Sequence, residues 1–235
     1  MRLSRRVFLR SGLGGAGGWL VAGAAHASPE VANPDVRQRF VIVNADDLGI
    51  SDEIDHGIFE AHDRRIVTSA SLLVDGPHAA DAVRLARQRP GLGLGIHVAF
   101  DDRGRWLINV QDPRVVQREV TRQLEAFERM TGVPPTHIDS HHHAHRFFNV
   151  ARHFIEAGQR LPARAAPGVS EVSCHPGHLE NRADAQYNRE REVELRSLCD
   201  AQVKAAIAEE SIRLISFREY AWIAARPRPS CRGAS

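Results

Sequence analysis

Two short stretches of this chain deliver reactive side chains from the ends of apolar runs. Val41-Ile-Val-Asn-Ala-Asp-Asp-Leu-Gly49 leads straight into paired carboxylates, Asp46 and Asp47. Thr136-His-Ile-Asp-Ser-His-His-His-Ala-His145 leads into clustered imidazoles. Carboxylate and imidazole are the ligand types that hold a catalytic divalent metal at an open site. A spare acid beside such ligands would serve as a general base. The chemistry suggested first is therefore metal-dependent hydrolysis. Two further imidazoles lie at comparable places. His97 closes Leu94-Gly-Ile-His97, and His175 stands in Cys174-His-Pro-Gly177. Neighbouring side chains on an extended chain point to opposite sides, so Asp46 and Asp47 need not do the same job. Taken singly, each feature has a plainer explanation. An Asp pair before Leu-Gly is a helix-start signal, a strand histidine is often a satisfied core residue, and a histidine run can be surface polarity. Convergence at the ends of four separate apolar runs is harder to explain that way.

These residues need a scaffold that brings strand ends together. The patterning predicts strands at 40–44, 66–74, 93–100, 136–140, 169–173 and 212–217. It predicts helices from Ser51 or Asp52 to about Asp63, over 78–88, from Pro113 to about Met130, over 147–156, near 189–198 and over 200–209. Pro113 fits the first position of a helix, and Val116, Val120, Leu124 and Phe127 recur at helical spacing. Alternating strand and helix favours an α/β fold with a parallel sheet, either a β/α barrel or a doubly wound sheet. In both, the C-terminal strand ends form the active-site face.

Of the 235 residues, 31 are Lys or Arg and 29 are Asp or Glu, for a net charge of +2. That balance gives no electrostatic case for a nucleic-acid partner or an anionic membrane. Three cysteines, Cys174, Cys199 and Cys231, do not make a disulfide framework. Ser4-Arg-Arg-Val-Phe-Leu9, a glycine-rich apolar stretch and Ala25-His-Ala27 have the layout of a twin-arginine export signal. The apolar stretch is too short and broken to span a bilayer, so no integral span is expected in the mature protein. The expected organisation is a signal at 1–27, a linker at 28–38, one catalytic domain at 39–225 and a disordered tail at 226–235. A periplasmic or secreted protein follows from that signal. Self-association as a homodimer is left open.

With these residues in view, the chain resembles the YdjC family, the carbohydrate deacetylases that include chitooligosaccharide and hopanoid-associated members. The resemblance rests on Asn44-Ala-Asp-Asp-Leu-Gly49, Ile66-Val-Thr-Ser-Ala-Ser71, Gly93-Leu-Gly-Ile-His97, Pro135-Thr-His-Ile-Asp-Ser-His-His-His-Ala-His145, Glu171-Val-Ser-Cys-His-Pro-Gly177 and Leu214-Ile-Ser-Phe-Arg218. These blocks occur in the family's order over roughly 39–220. The resemblance implies a β/α barrel-like fold and removal of N-acetyl groups from an N-acetylated carbohydrate. It implies one divalent metal on Asp47, His97 and His141, with Asp46 at the base position and His175 as a candidate acid. Two imidazoles suit zinc or another transition metal better than magnesium, while the resemblance leaves magnesium open. The segments between His97 and Pro113 and between His145 and Glu171 are shorter than the family's, the second by roughly a strand and a helix. An incomplete or distorted barrel is therefore expected. Other readings are a non-catalytic glycan-binding descendant, or another metal-dependent hydrolase or oxygenase on the same ligands. Asp46 argues against the first, since binding a metal needs no extra acid. The absence of a glycine-rich phosphate cradle argues against a phosphoesterase.

Overall fold

The computed structural model describes residues 4–6, 39–102, 104–146, 150–151, 153, 156–157, 169–180 and 188–225. In chain order the strands are β1 (Ser4–Arg6), β2 (Arg39–Leu48), β3 (Ser69–Leu72), β4 (Gly93–Val98), β5 (Asp101–Asp102), β6 (Arg105–Trp106), β7 (Ile138–Ser140), β8 (Val169–Cys174) and β9 (Ile212–Leu214). The α-helices are α1 (Asp52–Asp63), α2 (Ala79–Ala86), α3 (Pro113–Thr131), α4 (Asn188–Cys199), α5 (Ala201–Glu209) and α6 (Phe217–Ala225).

The main sheet runs β1-β8-β2-β3-β4-β7, with β9 paired to the start of β2. Every pairing in it is parallel except that of β1. Helices cover the sheet, which is why β2, β3 and β4 read as apolar runs instead of alternating strands. Among the described residues β7 and β8 do not pair. The sheet is thus a curled half-barrel, the incomplete form of the barrel that the sequence suggests.

Local signals explain most boundaries. The Ser51 side chain caps α1 by accepting from the Ile54 N–H at 3.3 Å. Asp112 caps α3 ahead of Pro113, and Gly132 ends that helix at φ 81, a left-handed conformation that glycine adopts without strain. One core unites Val43, Leu48, Ile58, Leu72, Ile96, Val98, Phe100 and Phe127.

Several elements differ from the sequence expectation. The strand expected at 40–44 continues through Asp46 and Asp47 to Leu48. The strand expected at 66–74 is confined to Ser69–Leu72, and that expected at 212–217 stops at Leu214. Helix α6 was not expected at all. Its signal is a capping box: Glu219 Oε2 accepts from the Ser216 N–H at 2.8 Å, and Ser216 Oγ accepts from the Glu219 N–H at 3.2 Å. His153 lies in the helix expected over 147–156 and is buried. Val150, His153 and Ala157 recur at helical spacing and share the inner side. Ser4–Arg6, inside the segment read as an export signal, pairs with the outer edge of β8. The rest of the expected export signal and the linker (7–38), all of 158–168 and the tail from 226 lie outside the described residues.

Candidate metal centre

All five residues expected at the site line one cleft of about 960 Å³ at the C-terminal ends of β2, β4, β7 and β8. The register of β2 against β3 shifts between Ala45 and Leu48, and Asp47 sits at φ 73. This bulge lets two consecutive carboxylates face the same cleft, which an ordinary strand forbids. The backbone N–H of Gly49 (φ 96) is held at 2.6 Å by the buried carboxylate of Asp55 on α1.

Asp47, His97 and His141 each offer a donor atom within 4.8 Å of the others. Asp47 Oδ1 is 3.0 Å from His141 Nδ1 and 3.3 Å from His97 Nε2. The other carboxylate oxygen, Oδ2, accepts from Arg191 Nη2 at 2.6 Å, so only Oδ1 is turned to the imidazoles. Burial works against the Asp47 anion. Hydrogen bonds from His141 and His97, with the charges of His97 and Arg191, overcome it and hold the carboxyl well below its ordinary range. Burial likewise opposes a charged His97, but Asp139, Asp47 and Asp46 push that imidazole well above its usual value.

His97 is oriented from behind. Its Nδ1 donates to Asp139 Oδ1 at 2.6 Å, while Asp139 Oδ2 accepts from Ser71 Oγ at 2.9 Å and Asn44 Nδ2 at 3.0 Å. The carboxylate–histidine pair fixes the ring with Nε2 turned to Asp47, where a bound ion would take the place of the Nε2 proton, the usual arrangement behind a metal-bound histidine. Asp46, His97 and Asp139 form a second close triple. Asp139 is already engaged by three donors there, which leaves the first triple as the better fit for an ion. The first donor set fits a divalent ion: one carboxylate oxygen and two imidazole nitrogens, buried and convergent, with room for further ligands from the cleft.

Asp46 is 1% exposed. Its Oδ1 accepts from Asn44 Nδ2 at 2.8 Å, and its Oδ2 lies 3.7 Å from His175 Nε2. The His175 backbone N–H donates to Glu194 Oε2 on α4 at 2.6 Å. Cys174 does not join this chemistry. Burial raises its thiol well above the ordinary value, and Sγ donates to the Asn44 carbonyl at 3.3 Å. A thiolate nucleophile is therefore excluded. His137 stacks on Phe217 at 3.9 Å. His62 and His178 approach the Val67 carbonyl at 2.8 Å and Glu60 at 3.2 Å. His145 is a residue whose side chain lies outside the described set.

Sequence reasoning overlooked Arg191, Asn44, Ser71 and the orienting role of Asp139. The parity of Asp139 with His141 could have flagged the last. Nothing local marks Arg191, which sits in a helix full of charges.

A half-barrel that presents a carboxylate and two imidazoles beside a spare acid defines a class of metal-centred hydrolase. Residues 40–166 match the family described as YdjC-like protein, and the chain belongs to that family. It is 32% identical over 242 residues to a carbohydrate deacetylase of Geobacillus stearothermophilus, covering 77% of this chain and 98% of the relative. A chitooligosaccharide deacetylase of Serratia marcescens is 28% identical over 251 residues, covering 77% of this chain and 99% of the relative. Among solved structures, an Enterococcus faecalis protein named for cellobiose-phosphate cleavage superposes with a TM-score of 0.68 at 23% identity, covering 77% of this chain and 98% of the other. A peptidoglycan deacetylase of Bacillus subtilis reaches 0.50 at 8% identity, covering 81% and 93%. These superpositions establish a shared fold.

Proposed function

We propose that this protein is a metal-dependent carbohydrate deacetylase that hydrolyses the N-acetyl amide of an amino sugar or oligosaccharide. The observation that carries the reading is the meeting, in one cleft, of a three-donor cluster with two groups able to move protons. Asp47, His97 and His141 would hold the ion, and two imidazoles with one carboxylate favour zinc or a similar transition metal over magnesium. When bound, a divalent ion acidifies water and polarises the acetyl carbonyl. Asp46 accepts the proton of the attacking water, its carboxylate steadied by Asn44. His175 donates a proton to the departing amine, which is otherwise a poor leaving group. The 3.7 Å approach of His175 Nε2 to Asp46 Oδ2 puts acid and base within reach of the same reacting amide. Asp139 keeps His97 in the tautomer that offers Nε2, and Arg191 keeps Asp47 turned to one side.

The test is acetate release from N-acetylated chitooligosaccharides with zinc, with magnesium and after chelation, beside Asp46→Asn. Metal-dependent acetate that falls by about 100-fold or more in the variant supports both reaction and base. A folded, metal-loaded protein that releases no acetate from any N-acetylated glycan overturns the reading.

The twin-arginine layout at the N-terminus supports export to the periplasm or beyond. Replacing Arg5 and Arg6 by lysine should trap the protein in the cytoplasm. Unchanged fractionation would discard that route. No helix among the described residues is long and apolar enough to cross a membrane.

A further inference from the structure

Beside the three-donor cluster, the cleft holds one more buried carboxylate tied to an imidazole, and no step above uses it. Asp101, in β5, is 7% exposed. Its Oδ2 accepts from the Gly104 N–H at 3.0 Å and from His142 Nδ1 at 2.8 Å. Among the described residues its Oδ1 has no hydrogen-bond partner, so burying this carboxylate works against stability. The backbone at His142 is unusual as well. His142 and His143 are consecutive left-handed residues, at φ 49 and φ 56. Non-glycine side chains rarely adopt that conformation, and such strain concentrates at functional sites. The reversal lays the His142 ring against that of His141, with centroids 3.9 Å apart. The His142 side chain remains 34% exposed and lines the cleft.

A carboxylate only accepts hydrogen bonds, so the His142 Nδ1 carries the hydrogen and Nε2 is left for another group. We propose that His142 reads the substrate: its Nε2 hydrogen-bonds the sugar hydroxyl next to the acetamido group, and Asp101 is the positioning residue that fixes the ring. This rests on the deacetylase reading. The His142 ring lies against that of His141, centroids 3.9 Å apart, so a sugar whose acetyl carbonyl is held at the Asp47–His97–His141 cluster has this imidazole beside it. A hydroxyl both donates and accepts, so the contact does not depend on the charge of the ring. It would make the cleft selective for amino sugars with that hydroxyl unsubstituted.

The experiment uses the metal-loaded enzyme with an N-acetylated chitooligosaccharide and with the analogue lacking the hydroxyl. His142→Asn is the main variant, because asparagine tolerates the left-handed backbone but is too short to reach the sugar. His142→Gly and Asp101→Asn accompany it, with metal content measured for each. The wild type should lose about 10–100-fold in kcat/KM on the analogue, mainly through KM. Both His142 variants should be equally poor on the two substrates while keeping their metal. Asp101→Asn should raise KM on the hydroxylated substrate alone. His142 variants that prefer the hydroxylated substrate as strongly as the wild type does would overturn the inference and leave the deacetylase reading standing. Loss of metal from the His142 variants would also overturn it, by making His142 part of the metal centre. A wild type that releases no acetate from either substrate would overturn both.

Discussion

His97 is gripped from two sides: Asp139 holds Nδ1, and Nε2 faces Asp47. Removing the charge behind it should weaken the site without touching a ligand. In Asp139→Asn the amide group must place a donor either against His97 Nδ1 or against the donors of Asn44 and Ser71. Zinc affinity, titrated calorimetrically into metal-free protein, should fall by about 10–100-fold. An unchanged affinity would mean that Asp139 only stabilises the sheet. A second residue acts from below the metal loop. Burial raises the Asp55 carboxyl from 3.8 to about 7, although the Gly49 N–H pulls the other way. The folded state therefore holds a proton that the unfolded chain has already lost. The stability that this proton confers is full below about pH 4 and lost as the pH rises through 7. Asp55→Asn keeps an acceptor for Gly49 and cannot ionise, but it buries an amide NH2 where Oδ2 lacks a partner among the described residues. It should be the less stable protein at pH 4 to 5, by about 1–3 kcal/mol. It should then gain on the wild type by up to roughly 4 kcal/mol as the pH rises to 8. Denaturant titrations at the two pH values decide it, and a difference that does not change with pH would refute the assignment.

At the level of elements, the close approach of α1 to the loop after β8 aims His175. A Cβ on Gly57 would lie 2.5 Å from the Gly177 Cα, nearer than real contacts allow. Glycine inside a helix ordinarily costs about 1 kcal/mol against alanine. Gly57→Ala should nevertheless destabilise, by about 1–3 kcal/mol, because the added methyl pushes against backbone. Acetate release should drop more than zinc affinity does, since the shifted loop carries His175 and not the donors. A Tm at or above that of the wild type would show that the loop gives way freely. The same contact marks what a sequence can and cannot reveal. The alternation of strands and helices, the helix starts at Ser51 and Pro113, and the strand-end positions of Asp46, Asp47, His97, His141 and His175 were legible, because each rests on local periodicity or local capping chemistry. The bulge that turns both aspartates inward was not, since it arises in the register of β2 on β3. Arg191 was not legible either: it meets Asp47 across 144 residues, and no local pattern encodes such a partner.

For the molecule as a whole, length is the distinctive property. The alignment to the Geobacillus relative spans 242 residues yet takes in 77% of this chain, about 180 residues, so about 60 positions of the relative have no counterpart here. Asp46, Asp47, His97, His141, His175 and Arg191 nevertheless line one cleft, with Asp139 behind His97, carried by β2, β4, β7, β8 and α4. The N-terminal segment contributes to the fold differently. Among the described residues, Ser4–Arg6 pairs with the outer edge of β8, through three residue pairs, and it lies outside the lining of the cleft. Truncation tolerance follows from the burial and hydrogen bonding of what is removed. The chain beginning at Ser28 should therefore keep its zinc affinity and acetate release within about twofold, with unfolding changed by less than about 1 kcal/mol. Side-by-side calorimetry and activity of the full and shortened chains make the comparison. If the shortened chain unfolds at much lower temperature, or loses zinc, the first residues are a working strand of the half-barrel. Equal behaviour would leave them removable, as a cleaved export signal must be.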